Sequence, residues 1–194
     1  MDREEAETRA LDAAERLFYA QGVQKVGMDA VRAASGVSLK RLYQLFPTKD
    51  RLVAAFLRRR DVRWRARLAE HVDRAAPPDR PCERILAVYD WLGLWFAEPG
   101  YRGCAWVNAF GELGAASAEV AGLARDHKRA VRRYLGELVA AAGQPPALAD
   151  HLLLLAEGAM TTAAITGSPD PAAHARAAAR TLLHAAASPD GRPA

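Results

Sequence analysis

The sequence predicts an all-α protein of about nine helices, a three-helix N-terminal domain with a helix-turn-helix followed by a larger C-terminal helical bundle. Three observations predict it. Apolar residues recur with the 3.6-residue period of a helix, and no segment alternates convincingly with the period of a strand. Breakers at Gly22, Gly27, Gly36, Pro47, Pro77-Pro78, Pro99-Gly100, Gly143 with Pro145-Pro146, and Ser168-Pro169 with Pro171 cut the chain into stretches of good helix formers. Hydrophobic residues make up 51% of the 194, enough at this length for a sizeable core.

The first helix is predicted from Arg3 to Gln21. Ala10, Ala14, Leu17, Phe18 and Gln21 fall on one side with Leu11 beside them, and Gly22 stands where a helix stops. Two short helices follow, Met28 to Ala34 and Ser38 to Phe46. Ser35, Gly36 and Val37 separate them, which is helix-turn-helix spacing. Gly36 supplies a turn conformation that a Cβ resists, and Val37 plugs the angle between the helices.

The second short helix sorts its faces. Leu42, Leu45 and Phe46 point one way, with Ser38 as the cap; Leu39, Lys40, Tyr43 and Gln44 lie on the other side. A helix serving only as core does not gather Lys, Tyr and Gln in one place. An apolar back and a front of donors suit the major groove of DNA. In the following FPTKD, Pro47 stops the helix, Thr48 caps the next one, and Asp50 lies in its first turn. Lys49, at a helix start with free backbone N–H groups, makes a phosphate clamp. The fourth helix then runs on through RLVAAFLRRRDVRWRARLAEHV, long enough to join two domains.

Charge is unevenly spread. The net charge is +4, yet residues 21–75 hold 13 Lys or Arg against 5 Asp or Glu. A concentrated basic stretch is what nucleic acid requires; a solvated helix face rich in arginine has the same count. Cys82 and Cys104 form no CxxC pair, lie among apolar residues and suit a reducing compartment. The start, MDREEAETR, is too acidic for a secretory signal, and the longest apolar run, Leu152 to Thr166, is shorter than a membrane span needs. The expectation is a soluble, cytoplasmic protein without a membrane partner.

The stretch from Arg9 to Leu57 resembles the DNA-binding domain of the TetR family of one-component transcriptional regulators. RALDAAERLFYAQG looks like its first helix, and AASGVSLKRLYQLFPTKDRLVAAF like its turn, recognition helix and fourth helix. Gly36-Val37-Ser38, Leu42-Tyr43, Phe46-Pro47 and Lys49 carry the likeness by their fixed spacing; the rest of the chain matches loosely, through RGCAWVNAFGEL and the closing helices. The resemblance implies that Tyr43 and Lys49 hold phosphates. It implies that Ser38, Leu39, Lys40, Arg41 and Gln44 lie where bases or backbone are contacted. It also implies that Met28 and Asp29 begin a helix whose N-terminus approaches DNA. Two departures stand out. Gly27-Met28 replaces a Thr-rich start, leaving only a glycine cap. Arg32 replaces a small Ala, so the second and third helices pack closely only if Arg32 snorkels outward. Asp29 repels phosphate unless it reads a cytosine amino group or faces an arginine.

The implied organisation is a DNA-binding domain at 1–48, a ligand-sensing and dimerisation domain at 49–187, and a disordered tail at 188–194. Aromatic residues gather in the C-terminal portion. Trp64, Trp91, Trp95, Trp106 and Phe110, with Glu112 and His127 as polar groups, are the candidates for a mostly apolar ligand pocket, and aromatic pairs at this spacing equally build a plain core. The last two helices are apolar or small around much of their circumference, which calls for a second burial surface. Leu155, Ala159, Thr162, Ala163 and Leu182 are the candidates for an isologous dimer interface, a monomer core being the alternative.

No catalytic motif survives inspection. Gly22 to Gly27 has the glycine spacing of a phosphate loop, but Met28 stands where lysine is required. There is no GxSxG, and the five histidines form no metal-ligand spacing. The expectation is no enzyme, cofactor or metal. The partners expected are double-stranded operator DNA, a small-molecule effector and a second copy of the chain. Repression is the first expectation, activation and a ligand-binding protein without operator specificity the alternatives.

Overall fold

A computed structural model describes residues 1–187; the tail predicted to be disordered, 188–194, lies outside the described residues. Among those described are nine helices and no strand: α1 (Arg3–Gln21), α2 (Met28–Ser35), α3 (Leu39–Leu45), α4 (Lys49–Ala75), α5 (Pro81–Phe96), α6 (Ala105–Leu113), α7 (Ala118–Ala141), α8 (Leu148–Thr166) and α9 (Pro171–Ala187). The all-α class and helix order follow the sequence reading. The chain forms two compact units, Met1–Arg63 with Cys104–His127, and Trp64–Gly103 with the chain from Lys128 on, so α4 is continuous through both.

In the first unit α1 packs on α2 and α3, and α2 on α3. Alanines at 6, 10, 13 and 14 line the buried side of α1 and let its neighbours approach closely; Phe18 meets Phe56 of α4 at 5.8 Å between ring centroids. The buried stripe therefore begins four residues earlier than the sequence suggested, at Ala6, and Gln21 is exposed rather than part of it. Asp2 caps α1, accepting from the amide of Glu5 at 2.8 Å. Ion pairs fasten α1 to α4. Arg59 reaches Asp12 at 2.9 Å and Glu15 at 3.0 Å, and Arg60 reaches Glu15 at 2.8 Å while lying 4.1 Å over the Tyr19 ring.

In the second unit α5 packs on α8 and α9, and α8 on α9. Pro81 at the first position of α5 starts it without wasting an amide. The phenol of Tyr89 donates to the Leu152 carbonyl at 2.8 Å inside this core, and burial pushes its pKa above the usual phenol range. Tyr101 donates to the Met160 carbonyl at 2.9 Å. Helix α8 is 19 residues, with a mean hydropathy of 1.2, long and apolar enough to cross a membrane. The apolar run Leu152 to Thr166, by itself shorter than a membrane span, thus belongs to a longer helix. Its apolar character has a core to serve, since Ala149, Leu152, Ala156, Ala159, Met160 and Ala163 are buried. Cys104 is buried as expected, but Cys82 is exposed.

Candidate nucleic-acid interface

The reading head is built around one turn. Gly36 ends α2 at φ 68°, the left-handed region, and its amide donates to the Arg32 carbonyl at 3.0 Å. Arg9 of α1 donates through Nε to the Ser35 carbonyl at 3.0 Å. Any Cβ on Gly36 would sit 2.9 Å from Arg9 Nη2, so the absent side chain serves both the backbone angle and the approach of the guanidinium. Ser35 is buried and its hydroxyl accepts from the Val37 amide at 3.2 Å; Val37 is fully buried in the corner the sequence assigned it.

Helix α3 sorts most of its residues as its spacing predicted, although Leu45, assigned to the apolar side, is only half-buried. Ser38 caps it, accepting from the Arg41 amide at 3.3 Å. Leu42 and Phe46 are buried, whereas Lys40, Tyr43 and Gln44 are exposed, Tyr43 by 47%. A tyrosine half in water on a seven-residue helix has no core to fill. Arg41 Nη1 donates to Gln44 Oε1 at 3.3 Å, coupling two groups on the outer side, and Leu39 is half-buried. Thr48 caps α4 through the Arg51 amide at 3.2 Å, and Lys49 donates to the Gln24 carbonyl at 3.2 Å.

At the start of α2 the structure separates the two candidates. The Met28 side chain is buried, so what it offers outward is backbone. Asp29 is exposed and pairs with Arg32 at 3.3 Å. That pair accounts for Arg32 and for Asp29: Arg32 points outward, leaving the α2–α3 packing intact, and the carboxylate of Asp29 faces a guanidinium. Gly27 caps α2 without a side-chain hydrogen bond.

The basic stretch is less free than its count suggested. Arg59 and Arg60 are spent on Asp12 and Glu15, and Glu119 of α7 holds Arg58 at 2.7 Å and Arg51 at 3.2 Å. Hydrogen bonding from Arg58, then the charge of Arg51, keeps the Glu119 carboxyl below the ordinary glutamate range. Much of the positive charge of α4 is therefore structural.

The seven ligand candidates fall into two clusters, one in each unit. Trp64, Trp91 and Trp95 are buried together: Trp64 meets the other two edge-on at 4.9 and 5.5 Å, and Trp91 stacks on Trp95 at 5.5 Å. In the first unit Trp106 and His127 stack at 3.5 Å, and His127 Nδ1 lies 2.7 Å from Asp61 Oδ1. Phe110 is half exposed, and Glu112 bonds to Gln24. A surface groove of about 410 Å³, lined among others by Arg132, Gly136, Val139 and Gln144, contains none of the seven. The dimer candidates also divide. Thr162 is exposed, Leu155 and Leu182 are half-buried, and Ala159 and Ala163 are covered by their own chain. Large apolar groups that α8 does expose are Leu154 and Ile165, at 70% and 80%. Sequence periodicity missed them because α8 is apolar nearly all round and only packing reveals which side remains open.

Comparison with known proteins agrees with this geometry. The sequence model described as "Bacterial regulatory proteins, tetR family" matches residues 10–56, the span of α1 to α4 that forms the reading head. A TetR-type transcriptional regulator of Streptomyces avermitilis is 30% identical, with 93% of this chain and 97% of that one covered and a TM-score of 0.79. The chain belongs to the TetR family. A TetR-family transcriptional regulator from Streptomyces coelicolor superposes with a TM-score of 0.87 at 28% identity, covering 95% of this chain and 97% of its own. The reduced form of NemR from Escherichia coli, 23% identical, shares the fold with a TM-score of 0.81 over 91% of this chain and 95% of its own. No curated protein matches the chain. As a TetR-family member the protein is a DNA-binding transcriptional regulator, and the family is one of regulators, not enzymes.

Proposed function

We propose that the protein is a cytoplasmic, ligand-responsive repressor that binds a pseudo-palindromic operator as a homodimer and is released by a small, largely apolar molecule. The observation that carries the DNA reading is α3 itself, with Leu42 and Phe46 inside and Lys40, Tyr43 and Gln44 outside. Lys40, Arg41 and Gln44 read bases or backbone from that face, Ser38 and Leu39 lie at its leading end, and Tyr43 and Lys49 hold phosphates. Met28 and Asp29 contribute the helix start of α2.

The homodimer reading rests on α8. Leu154 and Ile165 are exposed apolar groups on a helix whose small residues admit close approach, with Thr162, Leu155 and Leu182 as further members. Ala159 and Ala163 support that surface from beneath. A two-fold dimer presents two copies of α3 to two half-sites. The effector reading rests on the tryptophan cluster of the second unit, Trp64, Trp91 and Trp95, apolar surface with few polar groups. An effector that binds better to a form with another α3 spacing draws the population away from operator. The coupling is reciprocal, so operator weakens effector binding by the same factor.

Selection from a randomised duplex pool at low salt tests the central claim. An inverted repeat is expected to be enriched, and Gln44→Ala or Lys40→Ala to shift the preferred bases. A pool recovered without any preference would sink it.

A further inference from the structure

Gln24, in the turn between α1 and α2, is joined to a residue 88 positions away by two hydrogen bonds. Its amide donates to Glu112 Oε2 at 2.7 Å, and its side-chain nitrogen donates to the Glu112 carbonyl at 2.6 Å. Its own carbonyl accepts from Lys49 Nζ at 3.2 Å. One residue, Gln24, thus stands between a carboxylate on α6 and the ammonium at the start of α4. Gly22 makes room for this. At φ 88° it occupies a conformation that side chains resist, and a Cβ there would lie 3.0 and 3.1 Å from the two carboxylate oxygens of Glu112. The turn is pinned beneath by Val23 and Val26, both buried.

Glu112 itself breaks a local rule. It lies one residue before the end of α6, where the helix dipole disfavours an anion. No cation of its own helix faces it, since α6 carries none. Its place is explained by what it holds in the α1–α2 turn. The Lys49 ammonium has three protons, and the Gln24 carbonyl takes one, leaving two for an oxyanion.

We propose that Glu112 is a positioning residue for DNA binding: through Gln24 it fixes the Lys49 ammonium where it meets a phosphate. The proposal rests on the phosphate role of Lys49 given above. Its sign is distinctive. Removing a carboxylate from a DNA-binding protein ordinarily strengthens binding by reducing repulsion. Here removal weakens it.

The experiment is a fluorescence-anisotropy titration of a mixed-sequence DNA duplex over a range of salt, with the full-length chain and three variants, each checked by thermal melting. Lys49→Ala is expected to lower the salt slope by roughly one. Glu112→Ala is expected to weaken binding about fivefold, lower the slope in the same direction, and add little to Lys49→Ala in the double variant. Glu112→Gln keeps an oxygen for the Gln24 amide and is expected to recover most of the affinity and slope, which a role in folding alone would not require. If Lys49→Ala behaves as stated but Glu112→Ala binds as tightly as the parent or more tightly, or if the losses simply add, the positioning role is overturned while the DNA reading stands. If Lys49→Ala leaves affinity and slope unchanged, the phosphate role of Lys49 fails and the positioning role fails with it.

Discussion

At Gly36 one missing methyl group does two things, and each has a measurable consequence. The residue holds φ 68°, and Arg9 Nη2 occupies the space a Cβ would need. Gly36→Ala is expected to lower unfolding free energy by about 1–2 kcal/mol, from the left-handed backbone alone, because the guanidinium can swing aside. Urea denaturation reads this directly, and an unchanged midpoint would contradict the turn described here. Glu119 provides a second residue-level test. Its carboxyl is held below its ordinary value of 4.5 by hydrogen bonding from Arg58 and by the charge of Arg51. A depressed folded pKa contributes stability above the unfolded value, and that contribution disappears as pH falls through the folded one. The parent is therefore expected to melt above Glu119→Gln at neutral pH, and the gap to close on acidification below about 4.5. A gap that widens in acid would reverse the sign and refute the pairing.

Among the elements, α8 and α3 show how burial decides what a substitution reports. Ala163 is 1% exposed and Leu154 70%. A glutamate at 163 buries a charge without a partner, so Ala163→Glu is expected to destabilise the chain by several kcal/mol and report on folding rather than assembly. Leu154→Glu places the same charge in water, with an expected stability change within about 0.5 kcal/mol for the isolated chain. If α8 forms the dimer contact, Leu154→Glu yields folded monomers in sedimentation equilibrium; a dimer of parental affinity would move the interface elsewhere. Helix α3 is too short to persist alone. It is held by Leu42 and Phe46 on its inner side and by the Ser38 cap, which leaves Lys40, Tyr43 and Gln44 on its outer side in water.

For the molecule as a whole, the proposed homodimer would place two copies of α3 under a two-fold axis and so impose a rule on DNA. The enriched operator is expected to be an inverted repeat with half-site centres about one helical turn apart, or a multiple. Inserting roughly half a turn between the half-sites should abolish tight binding while leaving single-site contacts, as footprinting would show. Equal affinity for both spacings would be incompatible with a rigid two-fold dimer. Salt enters at the same scale. With Arg51, Arg58, Arg59 and Arg60 occupied by acids of their own unit, the salt slope should be smaller than the basic residues of α4 suggest.

The sequence by itself determined the helices, the turn and the division of α3 into inner and outer faces, because each depends on residues within a few positions of one another. Ser38, Thr48 and Gly36 act on their own neighbours, and the alternation of Leu42 with Tyr43 follows from 100° per residue. Only tertiary structure decided which arginines of α4 are already paired, that Met28 faces inward, that the open side of α8 carries Leu154 and Ile165, and that Glu112 meets Gln24. The reason is physical. A helix apolar nearly all round carries no mark of which side its neighbours cover, and a hydrogen bond between residues 24 and 112 exists only once the folded chain has brought them together.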